Sequence, residues 1–270
     1  SVIRFSGGYP KFIRRSRGWV PEDIPMDLGE SPMLALGAEQ DNVIALYKDE
    51  KVYLSQYLGN IDDPESLDFL KEALDRLLEI TDTDLPGIIA HDLHPSFLTT
   101  KEAQSMAEKN IPVQHHFAHL GSLLAEHNIE EGIAITVDGV GYGFEGEVWG
   151  GEIITSKDGS YERKGGLTSV YMPGGDLATK YPSRMVLGIL YPLVEKGEID
   201  DLKEFIDLKN IVLPMEKNEK SVVLSQLDAD LNSPRTSSTG RFLDAVSSLL
   251  GVCVDRTYEG EPAMKLESVA

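Results

Sequence analysis

The chain has 270 residues, 41% of them hydrophobic, and a formal net charge of −20. That length and apolar content suffice for one large domain or two packed lobes, while the charge repels polyanions and so disfavours unaided binding to tRNA or DNA. The single cysteine, Cys253, excludes a disulfide framework and a cysteine-based zinc finger; set between Val252 and Val254, it reads as a buried apolar residue rather than a nucleophile.

No apolar run of eighteen residues occurs, and Ser1 to Gly8 lack the charged, apolar and cleavage regions of a signal peptide. The expectation is a soluble, cytoplasmic protein with neither membrane nor nucleic acid as partner. Residues 1–32 are expected to form an N-terminal linker arm, because Pro10, Gly18, Pro21, Pro25 and Pro32 are too dense for a long helix or a central strand. Arg4, Lys11, Arg14, Arg15 and Arg17 all precede the first acid, Glu22. They are either a solvated face or a strip that meets a phosphate-bearing intermediate or an adjoining domain.

Residues 33–130 read as a first lobe. Met33 to Gly37, Val43 to Tyr47 and Val52 to Tyr57 are short apolar or alternating runs broken by Asp41-Asn42 and Asp49-Glu50-Lys51, the pattern of a three-stranded antiparallel meander. A helix over Pro64 to Ile80 follows, with Leu67, Leu70, Leu74, Leu77 and Leu78 on one stripe and Asp63 as its N-cap. Then come a buried strand (Gly87 to Ala90), a helix near Thr100 to Lys109, a strand from Ile111 to Gln114 and a helix from about His116 to His127.

Residues 131–270 read as a second lobe, left incomplete. It opens on another meander: Ile133 to Val137, Glu147 to Ile154 and Tyr161 to Leu167. Three antiparallel strands and then helices, given twice, predict an α/β fold of duplicated ribonuclease-H-like lobes, as in the actin and sugar kinase superfamily. Such lobes enclose a cleft suited to a nucleotide. The repetition is one of pattern, without residue-level repeats.

The strongest chemical signal is Gln114-His115-His116-Phe117-Ala118-His119. His115 and His119 are four apart at the start of a helix, which puts their β-carbons about 5–6 Å apart on one face, close enough for two imidazoles to share a divalent ion. A pair of surface or capping histidines is the plainer alternative. The missing His-Glu-x-x-His order argues against a zincin protease. Asp138, ending an apolar strand and followed by Gly139, Gly141 and Gly143, is the candidate third ligand, although Asp-Gly-x-Gly-x-Gly is equally a hairpin turn. Met172-Pro173-Gly174-Gly175-Asp176 and Tyr258-Glu259-Gly260-Glu261-Pro262 also pair glycine with an acid. Asp176 and Glu261 could accept from ribose hydroxyls, or belong to ordinary turns. His94, in Asp92-Leu93-His94-Pro95, either lines the cleft or caps a turn.

Together these segments resemble the HypF-type carbamoyltransferases of hydrogenase maturation along essentially the whole chain. The matching stretches are Arg14 to Pro21, Leu36-Gly37-Ala38-Glu39, Asp92 to Pro95, His115 to His119, Asp138 to Gly143, Trp149-Gly150-Gly151-Glu152, Pro173 to Asp176, Thr236 to Arg241 and Tyr258 to Glu261. The resemblance implies that a neighbouring YrdC-like domain makes carbamoyl-adenylate from carbamoyl phosphate and ATP. The domain seen here would pass the carbamoyl group to the C-terminal cysteine of HypE, on the way to the cyanide of nickel–iron hydrogenase. It also implies His115, His119 and Asp138 as ligands of a divalent metal (iron, zinc or magnesium). ATP or carbamoyl-adenylate would be cradled by Gly139, Gly141, Tyr142, Gly143, Gly174, Gly175, Asp176 and Glu261, with His94, Glu39, Glu152 and Arg241 near the cleft. Family members carry further domains before this region and continue past it with a Gly-Gly-Val and an Asp-Gly-Gly segment, so a fragment inactive in overall turnover is expected. An O-carbamoyltransferase or a tRNA threonylcarbamoyl transferase shares the fold and the paired histidines, but the acidic balance weighs against tRNA, and Arg14 to Pro21 and Pro173 to Asp176 fit the HypF type better. A non-catalytic nucleotide-binding scaffold is the alternative from another class.

Overall fold

The computed structural model describes the chain apart from Ser1, residues 15–18, Pro21, Glu30, Asn210, Val212 and Pro214, with the backbone alone at Ser6, Arg14 and Lys217. The basic residues Arg15 and Arg17, with most of the Arg14 to Pro21 stretch, lie outside the described residues. The chain divides into two compact units, residues 1–129 and 130–270.

The first unit begins with β1 (Val2–Ser6) and β2 (Tyr9–Arg14), an antiparallel hairpin in which Pro10 faces Phe5. β3 (Ile24–Pro25) pairs with β6 (Lys51–Leu54) at the sheet edge, after β4 (Met33–Ala35) and β5 (Ala45–Lys48). The expected linker arm therefore holds strands. An isolated hairpin and a sheet edge are places where proline's missing N–H costs no ladder bond.

α1 (Pro64–Thr81) starts where a capping box closes it: Asp63 accepts from the Ser66 N–H at 2.8 Å, and the Asp63 N–H donates to Ser66 Oγ at 3.2 Å. Its Leu70, Leu74 and Leu77 are buried against Leu34, Leu36, Ile44, Leu46 and Ile89, with Leu67 and Leu78 at the margin. Each fully buried leucine contributes about 1.5–3 kcal/mol, so this stripe fixes the helix on the sheet. β7 (Ile88–Asp92), α2 (Leu98–Met106), β8 (Lys109–Val113) and α3 (His115–His127) complete the unit. Among the described residues the sheet order is β3-β6-β5-β4-β7-β8, with β4-β5-β6 antiparallel and β7 and β8 parallel additions. That is the ribonuclease-H-like order, preceded by one edge strand.

The second unit opens with β9 (Gly132–Ile135), β10 (Gly141–Tyr142), β11 (Val148–Trp149), β12 (Glu152–Lys157) and β13 (Ser160–Gly166). β13-β12-β9 form the second antiparallel meander. The single strand expected over Glu147 to Ile154 is instead broken at Gly150-Gly151, and its first half joins a separate sheet. Ile133 and Ile135 are each 75% exposed, so the apolar run Ile133 to Val137 does not make the buried strand its composition suggests.

β14 (Val170–Tyr171), α4 (Asp176–Lys180), α5 (Ser183–Glu195), α6 (Leu202–Leu208), α7 (Lys217–Asp228), β15 (Arg235–Thr236), α8 (Thr239–Leu249) and α9 (Glu261–Val269) follow. β15 runs between β11 and β14 in the order β10-β11-β15-β14. α5 is the central helix here, with Leu187 in one apolar cluster beside Ile206 and Val223, and Met185 and Val186 in another beside Ala178 and Ala245.

Candidate metal centre

In the first unit the geometry begins with a parallel strand pair. β7 and β8 run in register, Asp92 opposite Val113, and the Leu93 N–H donates to the Val113 carbonyl at 3.0 Å. Both strands thus end level, which sets Asp92 beside the first turn of α3. The next residue, Gln114, caps that helix: its side-chain oxygen accepts the N–H groups of His116 at 2.7 Å and Phe117 at 3.1 Å. With its start pinned, α3 presents His115 and His119 on one face.

The two Nε2 atoms lie 3.2 Å apart, with the rings nearly perpendicular at 85°. Two nitrogens each about 2.0–2.1 Å from one ion would be separated by roughly 3.0 Å at an octahedral right angle and about 3.3 Å at a tetrahedral one, so the pair fits a divalent metal. His115 Nδ1, on the far side of its ring, is 3.4 Å from Asp92 Oδ2. His116 is fully buried, its Nδ1 3.2 Å from Gln114 Nε2, which makes it part of the packing under the helix start. His94 is half-buried, stacked on Phe97 at 4.1 Å, and burial pushes its pKa down against the opposing pull of Asp92. Glu39 is half-buried, its pKa raised by that burial and then by Asp62. Asp92 stands in the sequence only as the first residue of the Asp92 to Pro95 stretch, with no role of its own assigned to it.

In the second unit Asp138 stands at a tightly built turn. Its N–H donates to the Gly150 carbonyl at 2.8 Å, its carbonyl accepts the Gly240 N–H at 3.0 Å, and its Oδ1 accepts the Gly139 N–H at 2.6 Å. Ser238, the N-cap of α8, also donates to the Gly139 carbonyl at 2.6 Å. A β-carbon on Gly150 would sit 2.7 Å from the Asp138 carbonyl oxygen and 2.8 Å from Ser238 Cα, so glycine is required where the chain crosses behind this turn. Arg241, only 8% exposed, packs against Gly139 and pairs with Asp244 at 2.8 Å. Burial lowers the arginine's pKa and raises the aspartate's, each partly offset by the other.

Of the remaining candidates, the glycines offer close approach of the backbone, and the acids divide by whether their oxygens are already engaged. Gly143 donates to the Glu147 carbonyl at 2.9 Å, and Gly141 and Tyr142 form β10. Gly174 (φ 89°) donates to Asn232 at 2.8 Å and Gly175 (φ 57°) to Met172 at 3.0 Å, while the next residue, Asp176, is exposed. Glu152 is completely buried, not open to a cleft: it accepts from Ser237 Oγ, from Arg163 Nε at 2.5 Å and from the amides of Gly150 and Gly151 at 3.1 and 3.2 Å. Glu261 is closed in the same way, by Lys265 at 2.7 Å and by the Thr257 N–H and hydroxyl at 2.6 and 2.8 Å. Cys253 is 4% exposed, and burial pushes its thiol pKa up, which suits packing and not nucleophilic attack.

Lys265, then Thr257, holds the Glu261 carboxyl down to about 2. The unfolded chain takes up that proton near pH 4.5, so the contribution is fully present above that value and lost as pH falls toward 2. The thermal midpoint of Glu261→Gln should therefore fall less steeply than the wild type's between about pH 4.5 and 2. Parallel melting profiles across that window would refute the assignment.

Two family models cover most of the chain: the HypF Kae1-like domain over residues 29–126 and the carbamoyltransferase Kae1-like domain, second subdomain, over residues 134–270. The fold is thus that of a Kae1-like carbamoyltransferase domain, of the actin-like α/β class. The probable carbamoyltransferase HypF of Methanocaldococcus jannaschii is 43% identical over all of this chain and 35% of its own length. A crystal structure of full-length HypF in its phosphate- and nucleotide-bound form matches with a TM-score of 0.88 at 34% identity, over 99% of this chain and 34% of that one. HypF of T. kodakarensis matches at 0.86 and 43% identity, over 99% and 36%. The chain belongs to the HypF carbamoyltransferase family and spans about a third of the length of these relatives. No helix among the described residues is long and apolar enough to cross a membrane.

Proposed function

We propose that this chain carries the carbamoyl-transfer step of a HypF protein, moving the carbamoyl group from carbamoyl-adenylate to the C-terminal cysteine of HypE. His115, His119 and Asp138 hold a divalent ion, with the adenylate delivered from a YrdC-like domain of the full-length protein. Family membership supports the reaction class, and the 3.2 Å separation of His115 and His119 Nε2 is the observation that carries the metal reading. When bound, the ion polarises the mixed anhydride and offsets charge on the AMP leaving group.

The acceptor thiolate forms the new bond to the carbamoyl carbon as the carbon–oxygen bond to AMP breaks. The chain's own cysteine is buried and takes no part. Nucleotide contacts are assigned to Gly139, Gly141, Tyr142 and Gly143 and to the turn Gly174-Gly175-Asp176, where the Asp176 carboxylate is open to accept from ribose hydroxyls. Glu261 and Glu152 are left out, because their oxygens are already engaged inside the fold.

Equilibrium dialysis of the 270-residue chain against zinc, iron and magnesium, read by elemental analysis, tests the metal reading. One equivalent is expected in the wild type and a loss of at least ~100-fold in affinity in His115→Ala, His119→Ala and Asp138→Ala, with unchanged circular dichroism. Equal metal content in all four proteins would favour a scaffold. In full-length protein, transfer of labelled carbamoyl to a HypE C-terminal peptide tests the acceptor, and its absence would defeat the assignment.

A further inference from the structure

We infer that Asp92 is a positioning residue that sets the tautomer of His115 and so turns the Nε2 lone pair toward the ion; this rests on the metal reading above. A neutral imidazole carries one proton, and the nitrogen that keeps it is chosen by the hydrogen bond available there. Asp92 Oδ2 lies 3.4 Å from His115 Nδ1. A carboxylate at that nitrogen favours Nδ1–H and leaves Nε2 unprotonated, facing His119 Nε2 at 3.2 Å. The ligand atom is thus selected from behind the ring.

Asp92 is itself held on every side. It is 7% exposed, and its Oδ1 accepts the His94 N–H at 2.7 Å, which leaves Oδ2 for the imidazole. Its carbonyl accepts Thr100 Oγ1 at 3.1 Å and lies 2.7 Å from His91 Nδ1. The β7 and β8 pairing fixes its height opposite Val113. A carboxylate restrained through both backbone and side chain can fix an imidazole. The arrangement is that of carboxylate–histidine–metal triads, where loss of the outer partner weakens metal binding by about 10–100-fold.

Two readouts test this. Nitrogen NMR of the metal-free chain should show His115 as the Nδ1–H tautomer in the wild type and shifted to Nε2–H in Asp92→Ala. Zinc affinity should fall about 10–100-fold in both Asp92→Ala and Asp92→Asn, because the asparagine oxygen stays with the His94 N–H and its amide NH2 cannot accept from Nδ1–H. The asparagine variant also keeps the test valid if alanine at this buried site lowers stability. An Asp92→Ala protein that keeps both the Nδ1–H tautomer and wild-type affinity would overturn the inference. Failure of the wild type to bind zinc, with the tautomer switch intact, would instead strike the metal reading alone.

Discussion

Gly188→Ala should strongly destabilise the second unit. Gly188 lies in α5, where it passes β14. A β-carbon built there falls 2.0 Å from the Tyr171 carbonyl oxygen, 2.9 Å from its carbon and 3.0 Å from Pro173 Cδ. The nearest neighbours are backbone atoms, so no side chain can rotate away and the helix must lift from the strand by more than an ångström. That movement would loosen Leu187, Met185 and Val186, which anchor two apolar clusters.

Two effects compete at this position. Alanine is the better helix former by about 1 kcal/mol, whereas overpacking a close-packed core costs up to about 3 kcal/mol and occasionally more. Contact with an immovable carbonyl belongs at the top of that range, so the net loss should be roughly 2–3 kcal/mol. At about 2–4 °C per kcal/mol, the melting temperature should drop by about 5–10 °C. A variant that melts at or above the wild-type temperature would show that α5 and β14 are not in such close contact.

What could be read in advance follows the range of each interaction. The α1 leucine stripe and the His115 and His119 pair are visible in the sequence because helical periodicity brings residues three and four apart onto one face. Asp92 is not visible as a partner of His115, since the two meet only through the parallel register of β7 and β8. The arm over residues 1–32 was obscured by prolines, a signal that excludes central strands but not hairpins and edges. The break at Gly150-Gly151 had a usable sign, a glycine pair inside a strand pattern, which marks close approach of another backbone. Acids were hardest to place. Asp176, Glu152 and Glu261 look alike in a glycine-rich stretch, and only folding shows that two of the three satisfy the protein's own donors.

Glu152 gives the second large effect expected. Burial alone would raise its pKa, but the Ser237 hydroxyl, the Arg163 guanidinium and the amides of Gly150 and Gly151 outweigh that and hold it below the usual carboxylate range. One side chain thus closes the break between β11 and β12, ties Ser237 from a segment 85 residues away, and anchors Arg163 over the Trp149 ring at 4.9 Å. Glu152→Ala would strand the two glycine amides without an acceptor and leave Arg163 unpaired, in addition to opening a cavity. Arg163 is exposed and can turn to water, so the cost comes mainly from the two orphaned amides and the cavity, and urea unfolding should shift by about 2–4 kcal/mol. Glu152→Gln keeps the volume and an accepting oxygen and should lose about 1–3 kcal/mol. The carboxylate's share depends on its charge: with the folded pKa depressed, it is present above about pH 4.5 and fades as pH falls through the folded value. The wild type and Glu152→Gln should therefore converge in stability as the solution is acidified. A Glu152→Ala protein within 1 kcal/mol of the wild type at neutral pH would mean that the Gly150-Gly151 break, and with it the turn that carries Asp138, is held by something else.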